Sequence, residues 1–162
     1  MSTSTFDPEA FESIVIDQAN EVKMTPVPEG DYTAMIDKVR IKSVTVKKGA
    51  REGQEIPILE VLHHIQDEDG KLKKLLNLDK VVVRQDIWLD VENGALAFGP
   101  NQNVGLGRIR EATGLNKPGK AFTFKMLEGQ GPIELTVGLR ENSETGDFFN
   151  VVKGVRKPGE AA

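Results

Sequence analysis

The sequence predicts a mainly β fold: an antiparallel Greek-key barrel with one central helix and an extra C-terminal strand. Three observations predict it. Apolar and polar residues alternate over several separate stretches, which is the period of a strand with one face buried. Within the body of the chain only Val104–Thr113 carries helical spacing with suitable flanking residues. Short polar turns join the remaining stretches, so hairpins dominate and nothing suggests βαβ crossovers.

The N-terminal segment stands apart. Residues 1–31 hold seven acids against one base, Lys23, while the remainder holds 18 acids and 20 bases. An acidic arm is therefore joined to a mildly basic body, and an anionic ligand would meet the body. Residues 7–20 suit a short helix, with Asp7 as cap, Pro8 at its first position and a weak apolar stripe of Phe11, Ile14 and Val15. The following MTPVPEG breaks any helix at Pro26 and Pro28. The expected division is an acidic arm and linker over 1–28, a barrel domain over 29–157 and a flexible tail over 158–162. The arm has two readings: a segment packed loosely on its own body, or one that engages a partner or a second copy.

From Asp31 the pattern is β. Tyr32, Ala34 and Ile36 alternate, then Val39 and Ile41 alternate after a one-residue phase change that predicts a bulge. Lys38, Arg40 and Lys42 take the opposite face to that second pair. The glycine-containing loop KKGAREGQ leads to an apolar strand over 55–66, and Asp67-Glu68-Asp69-Gly70 predicts a hairpin turn. Residues 71–91 are expected to hold strands, with an irregular stretch near 77–80. Val81, Val83, Gln85, Ile87, Leu89 and Val91 share one face there; Val82, Arg84, Asp86, Trp88 and Asp90 share the other.

Asn93-Gly94 marks a turn. Asn103 is placed to cap the central helix, Leu106 and Ile109 to face the core, and Gly114 to end it. Three further strands are expected, over 121–127, 133–140 and 147–156, with Ile133, Leu135, Val137 and Leu139 inward and 141–146 as a polar turn. Three strands, a helix and then further strands is the order of an OB-fold.

Little points to catalysis. The chain has no cysteine, which excludes disulfides, thiolate metal sites and thiol nucleophiles. Its two histidines, His63 and His64, are adjacent on a strand and face opposite ways, so they cannot readily share a metal. The acidic turn at 67–69 is too short for a calcium loop. Gly105-Leu106-Gly107-Arg108-Ile109-Arg110 imitates a dinucleotide fingerprint but has Arg110 in place of its last glycine and follows no parallel strand. No catalytic residue, metal ligand or cofactor is expected. No apolar run is long enough for a membrane span, and the chain is expected to be cytosolic.

The residues that suggest a ligand are basic and aromatic. Trp88, the only tryptophan, falls on the polar phase of its strand beside Arg84, which suits stacking on a nucleic-acid base; the alternative is a strand covered on both faces. Phe148 and Phe149 are consecutive, so one of them faces outward, whereas Phe122 and Phe124 share a face and suit the core. Lys38, Arg40, Lys42, Lys47, Lys48 and Arg51 cluster on the first strand and the loop after it, part of the ligand face of an OB-fold.

The stretches TPVPEGDYTAMIDKV, LDKVVVRQDIWLDVENGALAFGPNQNVGLGRIREATG and FNVVKGV resemble small phage-encoded proteins, among them the OB-fold single-stranded-DNA-binding proteins of replication and recombination modules. The resemblance spans roughly 25–157 and rests on element order and short phrases. It implies sequence-tolerant coating of single strands through a basic groove and stacked aromatics. Two features depart from that family: the chain ends KPGEAA instead of in an acidic tail, and aromatics make up only 6% of it.

The sequence thus predicts a non-catalytic binder of single-stranded DNA or RNA, acting in the host cytoplasm if phage-encoded, with a homo-oligomer as one option. Lys38, Arg40, Lys42, Lys47, Lys48, Arg51 and Arg84 would meet phosphates, and Trp88 and Phe148 would meet bases. The rival expectation is a phage structural protein, a capsid decoration or tail component that uses the barrel and arm for protein contacts.

Overall fold

The structure is a computed structural model and describes residues 6–160; the first five residues of the expected arm and the last two of the expected tail lie outside them. Seven strands occur among the described residues: β1 (Gly30–Thr45), β2 (Glu55–Ile65), β3 (Val82–Trp88), β4 (Val91–Glu92), β5 (Ala95–Leu96), β6 (Ile133–Glu141) and β7 (Phe148–Arg156). Three α-helices join them: α1 (Pro8–Glu12), α2 (Lys71–Leu76) and α3 (Val104–Thr113). None is long and apolar enough to cross a membrane.

Five strands form one antiparallel sheet in the order β3-β2-β1-β6-β7. The 16-residue β1 holds it together by pairing with β2 along most of its length and with β6 over residues 30–34. The phase change read from the sequence is a bulge, where the register with β2 slips between Ile36 and Lys38. Beyond the β6 ladder, Ile36 donates to the Gln130 carbonyl and accepts from Gly129, both at 2.8 Å. The sheet curls until its edge strands β3 and β7 touch, but no hydrogen-bond ladder joins them. The fold is mainly β as expected; the barrel is an incompletely closed one, with a seam between β3 and β7.

Ala34, Ile36, Val39, Leu59, Val61, Val83, Ile87, Leu135 and Val137 fill the inside of the curl, and α3 covers it with Leu106, Ile109 and Ala112. α3 lies so close to β3 that a Cβ on Gly105 would stand 3.3 Å from Ile87 Cγ2, which accounts for a glycine inside this helix. Asn103 occupies the N-cap position, but its side chain does not cap. With φ at 52° it turns inward, accepts from Asp90 N at 2.7 Å and donates to the Asp90 and Ala97 carbonyls at 2.8 Å each. It fastens the β4–β5 hairpin to the start of α3.

Several expectations are corrected. Residues 121–127 form coil and a 3₁₀ turn (Phe124–Leu127), which buries Leu127 completely, so β7 is the fifth strand of the sheet. Phe122 and Phe124 are half-buried, packed edge to face at 6.0 Å, with the Arg110 guanidinium 4.4 Å from the Phe122 ring. Asp67-Glu68-Asp69-Gly70 opens α2 instead of a hairpin, because the Asp67 carboxylate accepts from Leu72 N (3.3 Å) and Lys73 N (2.8 Å). Val91 leaves the β3 phase to enter the two-residue β4–β5 hairpin, whose turn residues Asn93 and Gly94 both have positive φ.

The arm helix stops at Glu12 because the β-branched run Ile14-Val15-Ile16 follows. The packed body begins earlier than residue 29. Val27 is 4% exposed, its N–H donates to Asn150 Oδ1 and its carbonyl accepts from Asn150 Nδ2, both at 2.8 Å.

Candidate nucleic-acid interface

The outer face of β1, β2 and β3 gathers most of the charged residues singled out in the sequence. Register sets them in three rows across the strands: Lys38–Leu62–Arg84, Arg40–Glu60–Asp86 and Lys42–Ile58–Trp88. The bulge near Asp37 puts the three bases of β1 on this face by shifting the alternation one residue. Ile58, 2% exposed, is the apolar floor between Lys42 and Trp88. Trp88 itself is 52% exposed, so β3 is not covered on both faces at this point.

At the open seam β3 meets β7 across a cleft of about 320 Å³, lined by Arg84 and Trp88 on one side and by Arg140 and Phe149 on the other. Phe149 is the aromatic that reaches this cleft. Phe148, the residue expected to stack, is exposed at the start of β7 and does not line the cleft, which begins at Phe149 and continues through Val152. Arg140, which the sequence reading did not single out, and Phe149, the other member of the outward-facing pair, are thus the residues that line the cleft opposite Arg84 and Trp88. The signal was the Phe148-Phe149 pair; choosing between them required knowing where along β7 the seam begins. Arg140 is paired with Phe149 in the β6–β7 ladder.

The bases on this face are not all free. Glu60, 5% exposed on the central strand, accepts from Arg40 Nε at 2.7 Å and from Lys42 Nζ at 2.9 Å. These two bonds, Arg40's first, hold its carboxyl at a pKa of about 2. Lys42 also reaches Asp86 at 3.1 Å, and Arg84 Nε lies 3.8 Å from the same carboxylate. Three bases thus share two acids. Arg51, on the β1–β2 loop, is 3.8 Å from Asp90, which places that loop beside the Trp88 end of β3. Lys38, Lys47, Lys48 and Arg140 make no ion pair among the described residues. The loop carrying Lys47 and Lys48 is exposed and closed by bonds between Val46 and Gln54 and between Gly53 and Val46, each 2.9 Å.

The remaining candidates lie elsewhere. His63 faces inward, fully buried, with Nε2 2.8 Å from Gln85 Oε1; burial lowers its pKa to about 4 and keeps the ring neutral. His64 faces the other way and is half-buried. No group of three or more His, Cys, Asp or Glu among the described residues could hold a metal. The Gly105–Arg110 stretch lies within α3 and not at a strand-to-helix turn, so it offers no pyrophosphate cradle. What the seam presents is a half-exposed indole and a phenyl ring lining one cleft, with two guanidiniums, Arg84 and Arg140, in the same lining. The chemistry of the site rests on this geometry, since no family model matches the chain and no curated protein does either.

Proposed function

We propose that this protein binds single-stranded nucleic acid without catalysis, as an accessory of the phage replication and recombination type that its sequence resembles. The observation that carries the reading is the seam cleft of about 320 Å³, which Trp88, Phe149, Arg84 and Arg140 all line. Aromatic faces accept any base by stacking, and the guanidiniums add cation–π or phosphate contacts. Lys38, Lys47 and Lys48 supply phosphate contacts on the flanks of the path. Arg40 and Lys42 contribute less than their exposure suggests, because Glu60 and Asp86 already hold them.

The test is a titration with a labelled poly(dT) oligonucleotide at several salt concentrations. Three to five phosphate contacts give a slope of about −2 to −3.5 in log affinity against log salt. Trp88→Ala and Phe149→Ala each weaken binding by roughly 1–3 kcal/mol and leave the slope almost unchanged, whereas Phe148→Ala costs less than about 0.5 kcal/mol. Lys47→Ala with Lys48→Ala flattens the slope by about 1 to 1.5. A folded protein that binds no single strand at low salt removes this reading. It would favour a virion component instead, a role to which the exposed apolar residues of the arm are suited. Equal losses at Phe148 and Phe149 would move the site off the seam.

A further inference from the structure

The arm and the far end of the body are complementary surfaces that do not meet within one protomer. Between Phe6 and Val22 the chain carries five acids and no base. In the same stretch Phe6, Phe11, Ile14, Val15, Ile16 and Val22 are each more than half exposed, an unusual amount of apolar surface for a segment with no cover of its own. On the body, two clefts of about 510 Å³ each lie on either side of Phe98, which is 80% exposed, and share Leu106 and Arg110 of α3. Their walls carry Arg108, Arg110, Lys117 and Lys120, none with an acidic partner among the described residues. Glu111 and Glu160 also line the first cleft, so the bases predominate without being alone.

The route of the arm decides which copy it serves. It leaves the body at the Val27–Asn150 bonds, and Lys23 then pairs with Asp147 at 2.8 Å, which carries it past the start of β7. The Phe98 clefts adjoin Val155 and Arg156 at the other end of that strand, about 25 Å away at the strand rise per residue. The arm thus sets out away from the clefts of its own body. We propose that the arm of one copy docks in the α3–Phe98 groove of a second copy, apolar residues against Phe98 and acids against Arg108, Arg110, Lys117 and Lys120. Such a contact joins two different surfaces and builds open chains unless it closes into a ring. The proposal does not depend on the nucleic-acid reading.

Sedimentation of the full chain over a wide concentration range tests it, using charge-reversed variants on each side. Wild type gains mass with concentration, and the gain weakens with salt. Glu9→Lys with Glu12→Lys on the arm, and separately Lys117→Glu with Lys120→Glu on the groove, each weaken self-association about tenfold or more. An equimolar mixture of the two variants recovers association, because the reversed arm fits the reversed groove. Phe98→Ser provides a second groove variant should the lysine pair disturb folding, which the thermal transition reports. A wild type that stays monomeric throughout overturns the proposal, including a monomer whose arm resists proteolysis because it folds back on its own body. Association that survives the arm and groove variants overturns it as well, as does a mixture that fails to recover.

Discussion

Glu60 and His63 lie three residues apart on β2, and each is the buried titratable residue of its own face of the sheet. On the inner face His63 is surrounded by apolar core and has Gln85 as its hydrogen-bond partner. No counter-charge stands beside it, so the ring is held neutral, with a pKa of about 4. On the outer face Glu60 also has little accessible surface, but it lies against the charged Arg40 and Lys42 of the neighbouring strand and not in apolar core, and it stays charged with a pKa of about 2. Burial alone therefore does not decide the state of a group. The difference is whether the adjoining strand can supply an opposite charge whose own far side remains in water. That also distinguishes a face built only to exclude water from one that keeps charges organised at the surface.

The largest expected effect tests the inner face as core. Leu59→Ala, at a fully buried position next to Glu60, should cost about 2–5 kcal/mol in denaturant unfolding and leave the salt dependence of oligonucleotide binding unchanged. A loss below about 1 kcal/mol would remove the inner face from the core.

The next effect separates the two groups by pH. The folded pKa of His63 lies below its ordinary value of 6.5, so the unfolded chain binds the proton more readily. Its contribution is fully present above pH 6.5 and is lost as pH falls toward about 4, by up to about 3 kcal/mol. Glu60 acts in a lower window: its contribution is present above 4.5 and lost as pH falls toward about 2. Unfolding measured at both ends of the upper window should show the decline in wild type, and His63→Leu should remove most of it. A decline that persists in His63→Leu would assign that window to other groups.

The smallest effect concerns the outer face. Glu60→Gln should cost about 1–3 kcal/mol of stability, since it removes the charge-assisted partner of two bases. The same change frees Arg40 for phosphates while Asp86 still holds Lys42, so binding should tighten at low salt and the slope should steepen by about 0.7. A flatter slope would mean that Glu60 positions these bases for the ligand instead of competing with it.

The elements that were legible in the sequence are those whose pattern is local. Alternation located β1, β2, β3, β6 and β7, the slip after Ile36 located the bulge, and the spacing of Leu106 and Ile109 located α3. Residues 121–127 misled because Phe122 and Phe124 alternate like a strand, whereas the chain there runs as coil and a 3₁₀ turn against β1 without forming a ladder with it. Lys71–Leu76 has Leu72 and Leu76 at helical spacing, but the Asp-Gly signal favoured a hairpin; the deciding bonds come from Asp67, five and six residues before their donors. At the site, the polar phase of Trp88 was legible in one strand. That Glu60 neutralises Arg40 and Lys42 was not, because it depends on which residues of β1 and β2 lie opposite one another. Phe149 and Arg140 depended in the same way on how far the sheet curls, a property of all five strands together.

The two hydrogen bonds between Val27 and Asn150 fix one end of a leash. Asn150 itself lines the seam cleft, so the leash is rooted at the seam. Between the apolar run that ends at Ile16 and Lys23, which Asp147 also holds, lie six residues, which as a flexible chain span about 13 Å root-mean-square. Whatever the arm holds is therefore confined to a small volume around the root, at an effective concentration in the millimolar range. A weak contact made at the tip of the arm would then persist at protein concentrations far below its own dissociation constant whenever a second link, such as one shared strand of nucleic acid, joins the same two molecules.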